Sequence, residues 1–247
     1  MPRFFVHPEQ IREDELIITE DAHHIKDVLR IQAGEVLEVC DGQGTDYQAE
    51  IENMTGEEIK CRILSQGPSV SESSIHITLF QGLPKSDKME WILQKGTELG
   101  ISSFVPVDMQ RCVVRYDAKK EIKKTERFRK IAESAAKQSG RGRIPEVKEP
   151  QSFLQTVEDV KNYDLFLVPY EAGLDHSLKK TLNALPQMPK TVAILIGPEG
   201  GIDPGEVEAL TGAGAKIVGL GPRILRTETA GMAAATMLLY HFDQMEL

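Results

Sequence analysis

Between Thr191 and Tyr240 the chain twice runs a short apolar strand straight into a glycine-rich loop and then into a helix. The first unit is Val192-Ala193-Ile194-Leu195-Ile196 followed by Gly197-Pro198-Glu199-Gly200-Gly201. The second is Lys216-Ile217-Val218-Gly219-Leu220 followed by Gly221-Pro222-Arg223-Ile224-Leu225-Arg226. Beyond the first loop, Asp203 reads as a helix N-cap, Pro204 as the first helical residue and Glu206 as the reciprocal partner of a capping box. Gly212 and Gly214 stop that helix. The second helix starts near Thr227 or Thr229 and runs through Gly231-Met232-Ala233-Ala234-Ala235 to Tyr240.

In an open parallel sheet, ligands bind beyond the carboxyl ends of the strands, where the connecting loops diverge and leave a crevice. A single glycine turn reverses a chain and nothing more. Two on consecutive strands can line one pocket. Their spacing matches neither Gly-x-Gly-x-x-Gly nor Gly-x-x-x-x-Gly-Lys-Ser/Thr, which sets aside a dinucleotide fingerprint and a phosphate-binding loop. Glu199 stands where a phosphate would need donors. A carboxylate there suits ribose hydroxyls or a cation, so the pattern points to an adenosine-like ligand without phosphates.

Upstream, from Ile75, strands and helices alternate. Ile75–Phe80 reads as a strand; Asp87 with Glu90 caps a helix through Leu99; Ile101–Val107 is a strand; a basic helix covers about Asp117 to Gln138, with Ile122, Phe128, Ile131 and Ala135 as its apolar stripe. Asp164–Val168 and Leu174–Leu185 add a strand and a helix. Such alternation predicts an α/β fold, a parallel sheet covered by helices. Residues 1–70 read differently, as a β meander of strands at Arg3–Val6, Val36–Cys40, Tyr47–Ile51 and Ile59–Leu64, with one short helix capped by Asp21 that buries Ile25, Val28 and Leu29. The polar run Gln66–Ser74 reads as a linker, which gives domains at 1–70 and 74–247.

Charge is unevenly spread. Arg111–Arg143 carries twelve Lys and Arg against four acids, so this segment is +8 and the remainder −17 within a net charge of −9. Ion pairs such as Glu121 with Lys124 would make it an ordinary solvated face. The acids are too few for that, and a basic stripe is the footprint expected for a nucleic-acid backbone. Lys120, Lys123, Lys124 and Arg127 on the helix, Arg141 and Arg143 beyond it, and Arg3, Lys26 and Arg30 in the acidic N-terminal unit are the candidate RNA contacts. Cys40, Cys61 and Cys112 are widely spaced, and adjacent His23 and His24 diverge on a helix, so neither a disulfide framework nor a metal site is expected, and a reducing cytoplasm is. No apolar window is long enough to span a membrane. The small side chains at Ala230–Ala235 suit core packing and a subunit interface equally.

Gly197-Pro198-Glu199-Gly200-Gly201 with Leu220-Gly221-x-Arg223-x-Leu225-Arg226-x-Glu228-Thr229-Ala230 resembles the signature of SPOUT-class methyltransferases of the RsmE type. Asp21-x-x-His24-x-x-x-Val28-Leu29-Arg30, Lys88-Met89-Glu90-x-x-x-Gln94-Lys95-x-Thr97-Glu98-Leu99-Gly100 and Gln138-Ser139-Gly140-Arg141 extend the likeness across both domains. One position departs: Lys137 stands where the family favours an acid. The resemblance implies a PUA-like β-barrel followed by an α/β domain threaded into a trefoil knot, and a homodimer with its site near the interface. It also implies S-adenosylmethionine as methyl donor and N3 of a uridine in 16S ribosomal RNA, free or within the small ribosomal subunit, as acceptor. On this reading Arg226 and Glu228 are the catalytic candidates. Ile196, Gly197, Glu199, Gly201, Leu220, Gly221, Leu225 and Thr229 would hold the donor, and no metal takes part. A noncatalytic RNA-binding or ribosome-assembly protein that keeps the fold is the alternative.

Overall fold

The computed structural model describes residues 3–115, 118–171 and 176–245, the side chains of 118–120 excepted. Two compact units emerge: Met1–Glu72 together with Ala136–Ile144, and Ser73–Ala135 together with Pro145–Leu247.

The first unit is a five-stranded sheet built from β1 (Arg3–Phe5), β2 (Glu15–Ile18), β3 (Val36–Cys40), β4 (Thr45–Met54) and β5 (Ile59–Pro68), in the order β1-β3-β4-β5-β2. Pairing is antiparallel except between β1 and β3. Alternate residues such as Leu37 and Val39, Tyr47, Ala49 and Ile51 turn to one face and make its core with Phe4, Leu16, Ile18, Ile25 and Ile59. Strand β2 escapes the sequence reading because Glu15-Leu16-Ile17-Ile18 is too short and too acidic at its start to stand out. The helix expected after Asp21 is a π turn, His24–Val28, with Leu29 N–H donating to the His24 carbonyl at 3.0 Å. The wider turn rotates the apolar face. Ile25 is buried, while Val28 is 60% exposed.

The polar run read as a linker has a structural task. Strand β5 takes in its first residues, Ser71 and Glu72 accept hydrogen bonds from the returning segment at Gly142 and Arg143, and Ser69 packs against Gly142. Arg141 is 4% exposed, and its guanidinium forks onto Glu72 with two bonds of 2.8 Å. The Gly142 and Arg143 N–H groups also donate to Glu72 Oε1, at 3.0 and 3.2 Å. Arg3 joins in through Asp46 at 2.8 Å and the Gly140 carbonyl at 2.7 Å. Lys137 lies 3.6 Å from Asp21 and over the ring of Phe5.

The second unit runs β6 (His76–Gly82), α1 (Lys88–Glu98), β7 (Ser103–Asp108), α2 (Ala118–Ser139), β8 (Glu146–Val147), β9 (Gln151–Ser152), α3 (Phe153–Asp159), β10 (Leu165–Pro169), α4 (Leu178–Asn183), β11 (Thr191–Ile196), α5 (Pro204–Gly212), β12 (Lys216–Val218) and α6 (Thr227–His241). Helix α2 ends within the segment that belongs to the first unit. The expected parallel sheet is present, in the order β12-β10-β11-β6-β7-β8 with β9 also on β7, and every pairing is parallel. Strand β11 explains its own unbroken hydrophobic run. Val192, Ile194 and Ile196 enter one core with α1, α4 and α6, whereas Ala193 and Leu195 enter the other beside Leu210 of α5.

Helix α5 starts as its sequence dictates. Asp203 caps it, Glu206 reciprocates and Pro204 leads. Helix α1 forms without the expected box: Asp87 makes no side-chain cap bond, and its partner Glu90 is taken by Arg127 at 2.7 Å. On α2, Phe128 and Ala135 are buried as expected, but Ile122 is 58% exposed, so the apolar stripe begins later than the periodicity suggests. Helix α4 starts at Leu178; the first residues of the longer helix expected there, 174–175, lie outside the described residues. No helix among the described residues is long and apolar enough to cross a membrane.

Candidate active site

The chain reaches β11 only after building β6, β7 and β10, yet β11 inserts between β10 and β6. The loops that follow β6, β10, β11 and β12 therefore meet at the carboxyl edge of the sheet. They enclose a cavity of about 530 Å³, within the range of roughly 300–1,000 Å³ typical of small-ligand sites. Both glycine loops line it, joined by Lys88 at the start of α1 and by Pro169–Glu171 at the end of β10.

Close packing explains several of the glycines. A Cβ on Gly197 would stand 2.7 Å from Ile202, and one on Gly82 would stand 2.7 Å from two atoms of Pro198. Gly221 has φ +112°, a backbone conformation that side chains with a Cβ rarely adopt. The loop after β11 is held from outside by Arg111, which donates to the Gly200 carbonyl at 3.1 Å and pairs with Asp203 at 3.2 Å.

Of the residues expected to hold the donor, Ile196, Gly197, Glu199, Gly201, Leu220, Gly221 and Leu225 all line the cavity. Thr229 is exposed and lies outside the lining. Helix α6 has its N-cap at Arg226, so Thr227 and Ala230, one turn apart, take the cavity face and Thr229 turns away. Arg226 lines the cavity with Arg223 and Ile224, and Ile224 is 83% exposed. Glu228 is not part of the lining. It is tied to the site through Lys88, whose Nζ lies 3.0 Å from Glu199 Oε1 and 3.2 Å from Glu228 Oε2.

Three residues of this site carry no glycine signal and escape the sequence reading. Gln81, fully buried at the end of β6, donates to Thr227 Oγ1 at 2.8 Å, and Thr227 in turn donates to the Gly197 carbonyl at 2.7 Å. A lone glutamine closing the apolar run Ile75–Phe80 is the clue to the first two. Lys88 is the third, visible in sequence only as part of a family motif. Its ammonium is held above the ordinary lysine range by Glu199 first and Glu228 second. Burial would raise the Glu199 carboxyl, but its own N–H, Lys88 and the Lys85 N–H outweigh that and hold it low. Both groups are ionised at neutral pH.

The candidate RNA contacts divide. Arg3 and Arg141 are spent on ion pairs inside the first unit, so their cations are not presented to solvent as expected. Arg143 lies against Gly44 with its N–H on Glu72. Arg30 is exposed at φ +56°, beside exposed Lys26. On α2, Lys123 and Arg127 are exposed, Arg127 with Glu90 as partner; Lys124 lies over Phe128; the side chain of Lys120 is outside the described residues.

Comparison with known proteins places this architecture. Residues 71–239 match the family model of an RNA methyltransferase domain, and residues 17–64 match that of an RNA methyltransferase PUA domain. The ribosomal RNA small subunit methyltransferase E of Bacillus subtilis is 38% identical, with 98% of each chain covered. The chain belongs to this methyltransferase E family. Its relative from Mycobacterium tuberculosis is 33% identical over 87% of this chain and 82% of that protein. Among solved structures, the family member of Neisseria gonorrhoeae, bound to S-adenosyl methionine, superposes with a TM-score of 0.82 at 28% identity, covering 98% of both chains. A methyltransferase of Legionella pneumophila in complex with the same cofactor superposes at 0.81, with 33% identity and 97% of both chains covered.

Proposed function

We propose that this chain transfers a methyl group from S-adenosylmethionine to N3 of a uridine in 16S ribosomal RNA, in the cytoplasm and as a homodimer. The observation that carries the reading is the cavity itself, where both glycine loops converge with Glu199 and Arg226 on its wall. The residues present fit the donor. Ile196, Leu220 and Leu225 offer apolar surface for a purine, the glycines let backbone groups approach, and an ionised Glu199 suits ribose hydroxyls or a positive charge. Bound there, S-adenosylmethionine supplies an electrophilic methyl group on a positively charged sulfur.

The chain supplies the rest. An imide nitrogen becomes nucleophilic as it loses its proton, and the negative charge spreads onto the flanking carbonyl oxygens. Arg226, on the cavity wall and exposed to an incoming base, would stabilise that charge. Of the two nearby carboxylates, Glu199 is saturated by Lys88 and the Lys85 N–H, so Glu228 is the better proton acceptor. The knot implied by the family resemblance would carry the two glycine loops to one edge. Trp91 on α1 and Met237 and Tyr240 on α6 are exposed on two helices that pack together, and would offer apolar surface to a second subunit. Basic residues of the α2 face and of the Lys26–Arg30 turn would engage RNA.

Calorimetry of the purified protein with S-adenosylmethionine, followed by mass spectrometry of 16S ribosomal RNA from a strain lacking the modification, tests the proposal. Donor binding without divalent ions and methylation at uridine N3 are expected. Binding of RNA with no donor binding would instead make this a noncatalytic assembly protein. Arg226→Ala should keep donor affinity and lower the rate by roughly 10²–10³-fold, the size of effect seen on removing one oxyanion donor. Equal loss of both would move Arg226 to the donor pocket.

A further inference from the structure

Lys88 opens α1, and its ammonium stands between two carboxylates that belong to two other elements, Glu199 after β11 and Glu228 in the first turn of α6. The segment that delivers it is unusually constrained. Gly82 lacks the Cβ that would collide with Pro198. Ser86 takes φ +57°, a left-handed conformation uncommon for a residue other than glycine. Between them, the Lys85 N–H donates to both Glu199 oxygens, at 3.1 and 3.4 Å. Glu199 is thus anchored twice, once by backbone and once by Lys88.

Glu228 is anchored differently. Its Oε2 is buried and has no aligned hydrogen-bond donor among the described residues, so the Lys88 charge at 3.2 Å is what orients it. Without that charge, two carboxylates would face each other uncompensated. Glu199 would stay on the Lys85 N–H, and Glu228 would be the one to turn away.

We propose that Lys88, itself on the cavity wall, is a positioning residue for methyl transfer: anchored by Glu199 to the first glycine loop, it holds the Glu228 carboxylate beside the lining in the orientation that takes the N–H proton of the incoming base. The proposal rests on the methyltransferase reading above. It predicts a division of labour in which Lys88 acts on turnover through Glu228 and contributes little to holding either substrate.

The test compares Lys88→Met, Lys88→Arg, Glu228→Gln and the Lys88→Met/Glu228→Gln double variant in the full chain, each first matched to wild type in thermal midpoint. S-adenosylmethionine affinity is measured by calorimetry and steady-state methylation on 16S ribosomal RNA. For Lys88→Met, donor affinity and the KM for RNA should stay within about threefold. Its kcat should fall by about 10²-fold, the low end of what a general base contributes. Lys88→Arg should recover most of that loss, and the double variant should be no slower than Glu228→Gln alone. An unchanged kcat in Lys88→Met overturns the proposal. So does a parallel loss of donor affinity and kcat, a failure of arginine to rescue, or additive losses in the double variant. A wild-type protein that binds no S-adenosylmethionine overturns the methyltransferase reading, and the proposal falls with it.

Discussion

Thr227 Oγ1 donates a 2.7 Å hydrogen bond to the carbonyl oxygen of Gly197, so the first turn of the last helix is fastened to the first glycine loop through a buried hydroxyl. Gln81 Nε2 completes the chain at 2.8 Å. Thr227→Val keeps the shape and removes the hydroxyl, leaving a buried carbonyl without its donor. Stability should fall by about 1–3 kcal/mol, read as a lower denaturant midpoint, and affinity for S-adenosylmethionine should weaken with it. Thr227→Ser should retain both.

The fork between Arg141 and Glu72 belongs to the interior of the first unit. Glu72→Gln keeps the size of the side chain and deprives a buried guanidinium of its carboxylate. Breaking a buried pair from one side costs about 3–5 kcal/mol. Denaturant unfolding followed by circular dichroism should register it, and a loss within about 0.5 kcal/mol, the range of ordinary surface substitutions, would contradict the buried geometry.

The α2 charge predicts a salt dependence. Replacing Lys120, Lys123, Lys124 and Arg127 together with Gln should weaken RNA binding at low salt and flatten the slope of log affinity against log salt by about one unit for each phosphate no longer neutralised. An unchanged slope would make this a solvated face and shift attention to Lys26 and Arg30. Donor affinity should hardly respond to salt in either protein.

Burial pushes the Cys40 and Cys61 thiols up, from 9.0 to about 12. Both should resist alkylation at about pH 8 in the folded protein and react on unfolding. A folded-state value above the unfolded one stabilises the fold fully below about pH 9, and that contribution is lost as pH rises towards about 12. Alkaline denaturation of Cys40→Ala and Cys61→Ala variants should be correspondingly less steep.

The glycine loops, the capping box at Asp203 and the doubly buried strand β11 were legible in the sequence because each depends on neighbours along the chain. Local rules of turn, cap and period settle such features, and they located most of the cavity lining, from Ile196 to Leu225. Those rules failed wherever a side chain answers to a distant partner. Glu90 looks like half of a capping box until Arg127 claims it. Arg141 looks like a phosphate ligand until Glu72 buries it, and the polar run at Ser69–Glu72 looks like a linker until the segment at Gly140–Arg143 returns to it.

The site shows the same division. Sequence alone determined that two glycine loops would line one pocket at the edge of a parallel sheet. Only the tertiary structure decided that Lys88 and Pro169–Glu171 complete the wall, because the strand order that inserts β11 between β10 and β6 cannot be read from periodicity. That order brings Gln81 to Thr227, across 146 residues of chain, and Lys88 between Glu199 and Glu228. Hydrogen bonds and ion pairs act over a few ångströms of space whatever the separation in sequence, so their partners exist only once the sheet has been assembled.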